Sequence, residues 1–148
     1  MTETTPALAL ADRMAAIAAH LRGNPHLSPV NLIGDAYPWT NYDLPPMASL
    51  QIYEATAVPI LVWAKTLAEP QIVLRPYNTK ETPEKSVVAV RGWVADGQLV
   101  FVWGVDEGDL YRWRTADYDT LISVEQLASY VAAGTVEHAA EHAPAVTS

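Results

Sequence analysis

The dipeptide Asp96-Gly97 lies between two valine-rich apolar runs, residues 86–95 and 98–105. Asp-Gly is favoured in the two-residue type I′ turn that joins neighbouring antiparallel strands. We therefore predict a β-hairpin in which Ala95 faces Gln98. This hairpin constrains the fold more than any other feature, because its register assigns every side chain of both strands to one face of the sheet.

The predicted register gives the hairpin two apolar faces. The face predicted to be the core carries Val88, Val90, Val94, Leu99, Phe101, Trp103 and Val105. On this face Phe101 is expected to cover Gly92. The opposite face carries Ala89, Arg91, Trp93, Val100, Val102 and Gly104. The second set is too apolar to be left fully exposed, so we expect either a helix or a partner protein to cover it.

Helical patterns lie on both sides of the hairpin. Apolar residues at three- and four-residue intervals predict a helix over residues 7–21 and another over residues 57–67. Ser123 and Gln126 have the spacing of a capping box, which predicts a third helix that ends at Gly134. Residues 135–148 are then expected to form a flexible tail.

Shorter alternating segments indicate further strands. We predict strands over residues 30–33, 48–54 and 71–75, and the alternation over residues 110–115 allows one more. Residues 77–85 are polar and are expected to form a loop. The resulting fold class is α+β, with residues 1–134 as a single domain. We expect a mixed, mostly antiparallel sheet of about four to five strands with a central hairpin and three helices packed on it.

Composition limits the classes of function. Nine Lys and Arg residues against 17 Asp and Glu residues give a net charge of −8, which disfavours binding to nucleic acid. The chain contains no cysteine, so thiolate chemistry and sulfur-ligated metal sites are excluded. No apolar run reaches the length of a membrane span. We expect a cytoplasmic protein that has no membrane contact and no cofactor.

The histidines do not indicate a catalytic or metal site. His138 to His142 read H-x-x-E-H, a metalloprotease pattern, but only six residues follow and no further ligand can come from them. We therefore interpret this segment as part of the polar tail. His20 is expected to satisfy the end of the first helix, and His26 to lie at the surface.

Two residue sets remain as candidate sites. The first is a loop that combines aromatic and acidic residues, which are typical of carbohydrate or peptide contacts. It contains Asp35, Tyr37, Trp39, Tyr42 and Asp43. An alternative is that these aromatic side chains fold inward. The second set combines arginine and tryptophan, the residues favoured at protein interfaces. It contains Arg91, Trp93, Val100, Val102, Arg112, Trp113 and Arg114. An alternative is that Trp93 and Trp113 pack beneath the last helix.

The middle of the chain resembles a group of short uncharacterised proteins from actinobacteria and their phages. The resemblance is carried by residues 59–64, 71–75 and 102–105, together with the Asp96-Gly97 hairpin. It implies a small accessory protein, encoded by a phage or a mobile element. It carries over no active-site residues.

These observations lead to three hypotheses. The first is a non-catalytic, acidic interaction protein that binds another protein or itself, as in a homodimer. The alternative is a small-molecule-binding protein or enzyme with a pocket between the sheet and the loop of residues 35–43. The third is a nucleic-acid mimic that inhibits a DNA-binding partner, but the acidic residues are too few and too mixed with basic ones to favour it.

Overall fold

The computed structural model describes residues 5–27, 31–36, 47–53, 57–78, 82–115 and 119–142. The helices of this part of the chain are α1 (Pro6–Gly23), α2 (Ala57–Ala64), α3 (Val124–His142) and a 3₁₀ helix at Asp109–Trp113. The strands are β1 (Asn31–Ala36), β2 (Met47–Gln51), β3 (Ala68–Asn78), β4 (Thr82–Trp93), β5 (Leu99–Asp106) and β6 (Thr120–Ile122).

The strands form one mixed sheet in the order β1-β2-β5-β4-β3-β6. β2 runs parallel to β5, and the other neighbouring strands are antiparallel. The predicted α+β class, the mostly antiparallel sheet, the central hairpin and the three helices are confirmed. Within the described ranges the sheet has six strands, because the short edge strand β6 adds to those that the sequence indicates.

The turn of the central hairpin differs from the prediction by one residue. The Gly97 amide donates to the Val94 carbonyl at 3.0 Å, and the Val94 amide donates to the Gln98 carbonyl at 3.0 Å. Residues 95–97 therefore form a three-residue loop that ends with Gly97 at a φ of 85°. The predicted two-residue loop is wrong because Gly97 supplies the left-handed position of this longer turn, not the second position of a type I′ turn.

The one-residue shift moves the side chains of β5 to the other side of the sheet. Trp93 pairs with Leu99 and Arg91 pairs with Phe101, where the predicted partners were Val100 and Val102. The helix face of the sheet, as we call it, carries Val88, Val90, Val94, Val100 and Val102. The second face carries Ala89, Arg91, Trp93, Leu99, Phe101 and Trp103. The predicted faces are right for β4 and wrong for β5.

Gly92 lies on the helix face, so Phe101 does not cover it. A Cβ atom at this position would lie 2.9 Å from Leu67 Cβ and 3.1 Å from the Ala68 carbonyl oxygen. The segment between α2 and β3 therefore packs directly on the backbone of β4. Glycine is required here by close packing, not by a turn.

The helices form a core with the helix face. α2 contributes four buried residues to this core, Ile60, Leu61, Trp63 and Ala64. All eight residues of this short helix are apolar, so more than one side of it can pack against other elements. Leu127 of α3 is fully buried in the same cluster. The core therefore lies between the sheet and the helices, as in other two-layer α+β domains.

The N-terminus of α3 has the predicted capping box. The Gln126 amide donates to Ser123 Oγ at 3.0 Å, and the Ser123 amide donates to Gln126 Oε1 at 2.8 Å. The predicted end at Gly134 is wrong, since the helix continues to His142. Glycine is unfavourable inside a helix but does not stop one, and residues 135–142 are rich in alanine and glutamate, which favour helix.

Two further segments differ from their predicted structure. Residues 77–85 are not simply a loop, because β3 extends to Asn78 and β4 begins at Thr82. Residues 110–115 do not form a strand, since the chain makes a 3₁₀ helix there. Asp106 Oδ2 accepts a hydrogen bond from the Gly108 amide at 3.0 Å, which turns the chain away from β5 before a strand can form.

The C-terminal half of α1 is attached to α2 through His20. This imidazole is 8% exposed and stacks on Trp63, with ring centroids 5.5 Å apart. Thr66 Oγ1 donates to the Trp63 carbonyl, so it accepts from His20 Nε2 at 2.9 Å. The neutral ring therefore carries its proton on Nε2. Burial lowers the pKa of His20 below its ordinary value.

We expect Gly92→Ala to lower the free energy of unfolding by about 1–3 kcal/mol, because the added methyl group meets Leu67 and the Ala68 backbone. Gly23→Ala is the matched control, since no atom lies within 4 Å of its Cβ position in α1. The control should be neutral or stabilising by up to about 1 kcal/mol. Urea unfolding measures both, and equal effects of the two substitutions would contradict the packing.

We also expect acid to weaken the fold through His20. Because its pKa is lowered from 6.5 in the folded state, the unfolded chain takes up the proton first as the pH falls. The free energy of unfolding should be highest above pH 6.5 and decrease from there toward the lowered pKa. Urea unfolding across this range should show a smaller decrease for His20→Gln than for the parent, and an equal decrease in both proteins would contradict the assignment to His20.

Candidate functional site

The structure divides the predicted partner surface between the two sides of the sheet. Arg91 and Trp93 lie on the second face, and both are half-buried. Val100 and Val102 lie on the helix face with 0% exposure, inside the core. Their predicted position beside Trp93 is wrong because of the shifted hairpin register. These two valines therefore line no surface that a partner could reach.

The other three residues of the predicted surface belong to the helix side. Trp113 is 42% exposed and packs edge-to-face on Tyr130 of α3, with ring centroids 5.6 Å apart. Arg114 donates to Ser86 Oγ at 2.7 Å and to the Lys85 carbonyl at 3.1 Å. Arg112 remains at the surface. The structure thus does not bring Arg112, Trp113 and Arg114 together with Arg91.

Asp106 and Tyr130 form a polar connection that sequence reasoning missed. Burial raises the pKa of Asp106, while hydrogen bonds from the Gly108 and Leu110 amides and from Tyr130 act in the opposite direction. The Asp109 amide donates to Tyr130 Oη at 3.1 Å. This network joins α3 to the end of β5. Its role is structural, because it satisfies buried polar groups of the chain itself.

The second face contains a buried ion pair between Arg75 and Asp119. Arg75 Nε donates to Asp119 Oδ1 at 2.7 Å, and Arg75 Nη2 donates to Asp119 Oδ2 at 3.0 Å. Their side chains are only 13% and 6% exposed. The Arg75 guanidinium also lies 5.0 Å from the centre of the Phe101 ring, so it reaches across the sheet.

Apolar side chains share the second face with this ion pair. Met47, Val73, Val87, Ala89, Leu99 and Phe101 form a buried cluster, with Trp93 and Trp103 packed against it. Trp103 Nε1 donates to Ser49 Oγ at 3.0 Å, which fixes its indole over β2. The second face is therefore ordered by aromatic packing and by one bidentate ion pair.

Arg91 has a different environment from Arg75. Its Nε donates to Gln71 Oε1 at 2.6 Å, directly across the β3–β4 ladder. Burial lowers the pKa of Arg91, the charge of Asp119 raises it, and the nearby Arg75 lowers it. Both oxygens of Asp119 are bonded to Arg75. Arg91 is thus held in position by a neutral acceptor.

The predicted pocket loop cannot be placed as a unit. Asp35 belongs to β1, where its backbone pairs with Ala48 of β2. Tyr37, Trp39, Tyr42 and Asp43 lie outside the described residues. A separate cleft of about 420 Å³ lies at the opposite edge of the sheet, next to β6. Its lining includes Trp113, Leu121 and Gln126.

Within the described ranges, no group of three or more His, Cys, Asp or Glu side chains could hold a metal ion. No helix in those ranges is long and apolar enough to cross a membrane. Comparison with protein-family models, with curated proteins and with solved structures finds no match to this chain.

We expect Asp119→Ala to lower the free energy of unfolding by about 3–5 kcal/mol, because it leaves the Arg75 guanidinium buried without its carboxylate. Glu107→Ala is the matched control, since Glu107 pairs with Lys85 at an exposed position. The control should cost less than about 1 kcal/mol. Urea unfolding of both variants tests this difference, and a small effect of Asp119→Ala would show that the ion pair is dispensable.

Proposed function

We propose that this protein is an interaction protein that forms a symmetric dimer through α1. The observation that carries the proposal is an uncovered apolar surface on the N-terminal half of this helix. Leu8, Leu10 and Met14 are between 49% and 55% exposed, although each is a large apolar residue. Apolar surface of this kind on one element marks a contact site.

The attachment of α1 explains why this surface is uncovered. Its C-terminal half packs into the core through Ala16 and Ile17, and His20 stacks on Trp63. The packed face of α1 carries Ala9, Arg13, Ala16 and His20, which are half-buried or buried. Ile17 is buried in the core, whereas Leu10 and Met14, on the same helical stripe, are exposed. Leu10 and Met14 therefore lie beside the packed face of α1, and Ile17 lies at its edge.

A second copy of the chain fits this surface. In an antiparallel pair of α1 helices centred on Ala11, Leu8 of one copy lies beside Met14 of the other. The small side chain of Ala11 meets itself at the axis, which allows a close approach of the two helices. Between positions 7 and 15, Asp12 is the one exposed charged residue, so the dimer would bury few charges. A self-complementary patch of this kind gives a closed two-fold dimer.

The dimer leaves the second face of the sheet accessible to another protein. α1 packs with the cluster on the helix face, whereas Arg91 and Trp93 lie on the opposite side of the sheet. The accessory role, the absence of catalysis and the cytoplasmic location predicted from the sequence remain predictions that are compatible with this arrangement.

Light scattering over a range of protein concentrations tests the dimer. We expect twice the chain mass for the parent and a concentration-dependent shift toward the monomer for Met14→Glu, because the glutamate would be buried at the interface. Val58→Glu is the matched control, since Val58 is 55% exposed and belongs to α2, not to α1. Circular dichroism should show both variants folded, and a parent that is monomeric at every concentration would overturn the proposal.

A further inference from the structure

The fully buried part of α1 is confined to the end of the helix that leads to β1. Of the described residues of α1, three are buried, Ala16, Ile17 and His20, and the others are half-buried or exposed. Ala16 contributes little more than a methyl group to this contact. Ile17 and His20 therefore supply most of the fully buried surface, and a change at His20 acts on a large part of what attaches α1 to the domain.

His20 contacts two residues in and after α2. Its imidazole stacks on the indole of Trp63, with an angle of 24° between the ring planes. Its Nε2 donates to Thr66 Oγ1 at 2.9 Å, and the Thr66 hydroxyl donates in turn to the Trp63 carbonyl at 2.8 Å. This chain of hydrogen bonds is complete with a neutral imidazole that carries its proton on Nε2.

Protonation of His20 would place a positive charge at this contact without compensation. The new N–H lies on Nδ1, for which the described residues provide no acceptor. The residues that face the ring, Trp63 and Thr66, carry no charge, and the neighbouring cations Lys65 and Arg22 are exposed. A buried charge without a counter-charge or hydrogen bonds is unfavourable. The imidazolium is therefore more stable in water than against α2.

The indole that His20 covers also lacks a partner. Trp63 is 0% exposed, and within the described part of the chain its Nε1–H has no hydrogen-bond acceptor. A buried donor without an acceptor costs free energy that contact with water recovers. Because His20 covers one face of this indole, separation of α1 lets water approach the ring. Both side chains at the contact thus favour separation once His20 is charged.

We propose that α1 separates from the rest of the domain when His20 is protonated, and that the dimer is thereby controlled by pH. Separation hydrates the imidazolium, while α2 and α3 keep their own buried contacts with the sheet. A helix in a protein obtains most of its stability from tertiary packing, so the released α1 loses helical structure. The control of assembly rests on the proposed dimer, because α1 carries its contact surface, but the release of α1 does not.

The size of the effect follows from proton uptake. Burial lowers the pKa of His20 from its ordinary value of 6.5, and no charged group among the described residues contributes to this direction. Release of α1 therefore takes up one proton as the pH falls from 6.5 toward the lowered pKa. Over that range the equilibrium constant for release increases by up to about tenfold for each pH unit, and above it the constant does not change.

Amide hydrogen exchange at pH values above and below 6.5 tests the release. Each rate is corrected for the intrinsic pH dependence of exchange. We expect the amides of α1 to be less protected than those of β4, and to lose protection by up to about tenfold per pH unit of acidification. His20→Gln, whose amide can also donate to Thr66, takes up no proton and should lack this loss. The comparison also removes the contribution of Asp106, a buried acid whose pKa is raised.

Light scattering at the same pH values tests the control of assembly. We expect the parent to be a dimer above pH 6.5 and to shift toward the monomer below it, whereas His20→Gln should remain a dimer. A parent that is monomeric at every pH, but whose α1 still loses protection in acid, would overturn the proposed dimer and support the release of α1. The two proposals can therefore fail separately.

Two results would overturn the release itself. One is an α1 that is as well protected as β4 at every pH, which would show that the two open together. The other is an equal loss of α1 protection in the parent and in His20→Gln. If His20→Gln does not fold, the parent decides alone, because α1 protection that does not change with pH also overturns the release. A dimer that persists in acid although α1 loses protection would overturn the control of assembly.

Discussion

The pairing register of β4 with β5 decides what each side of the sheet contains. Gly97 in the left-handed region closes a three-residue loop, and this loop sets Trp93 opposite Leu99. With that register, Val88, Val90, Val100 and Val102 face the helices, and Phe101 and Trp103 face the other way. A loop one residue shorter would exchange the two sets on β5. The core on the helix face, and the Phe101 ring that lies beside Arg75 on the second face, both depend on this turn.

The sequence predicts those parts of the fold that are determined locally. The capping box of α3 involves Ser123 and Gln126, which are three positions apart, and both of its hydrogen bonds are present. The existence of the central hairpin follows likewise from its turn residues and apolar runs. Its register does not follow, because Asp96-Gly97 suits either loop length: in both, the glycine takes a positive φ. The wrong loop length therefore places every side chain of β5 on the wrong face of the predicted sheet.

In the candidate site, too, the sequence predicts contacts between neighbouring residues but not contacts between distant ones. Arg91 and Trp93 could be grouped from the sequence, because residues two apart on a strand share a face. Arg75 and Asp119 could not be paired, since 44 positions separate them and only the β3–β6 pairing brings them together. The exposure of Leu10 and Met14 did not follow from the sequence either, because the packed face of α1 runs through Ala9, Arg13, Ala16 and His20 and not through the larger apolar residues.

The parallel pairing of β2 with β5 has a consequence for the order of folding. β3, β4 and β5 follow one another in the chain as antiparallel neighbours, so each can form as a local hairpin. β2 instead joins β5 across an intervening segment that contains α2, β3 and β4. Closing this long connection costs chain entropy before its hydrogen bonds compensate. We therefore expect the β1–β2 edge to be the part of the sheet that is added last as the chain folds.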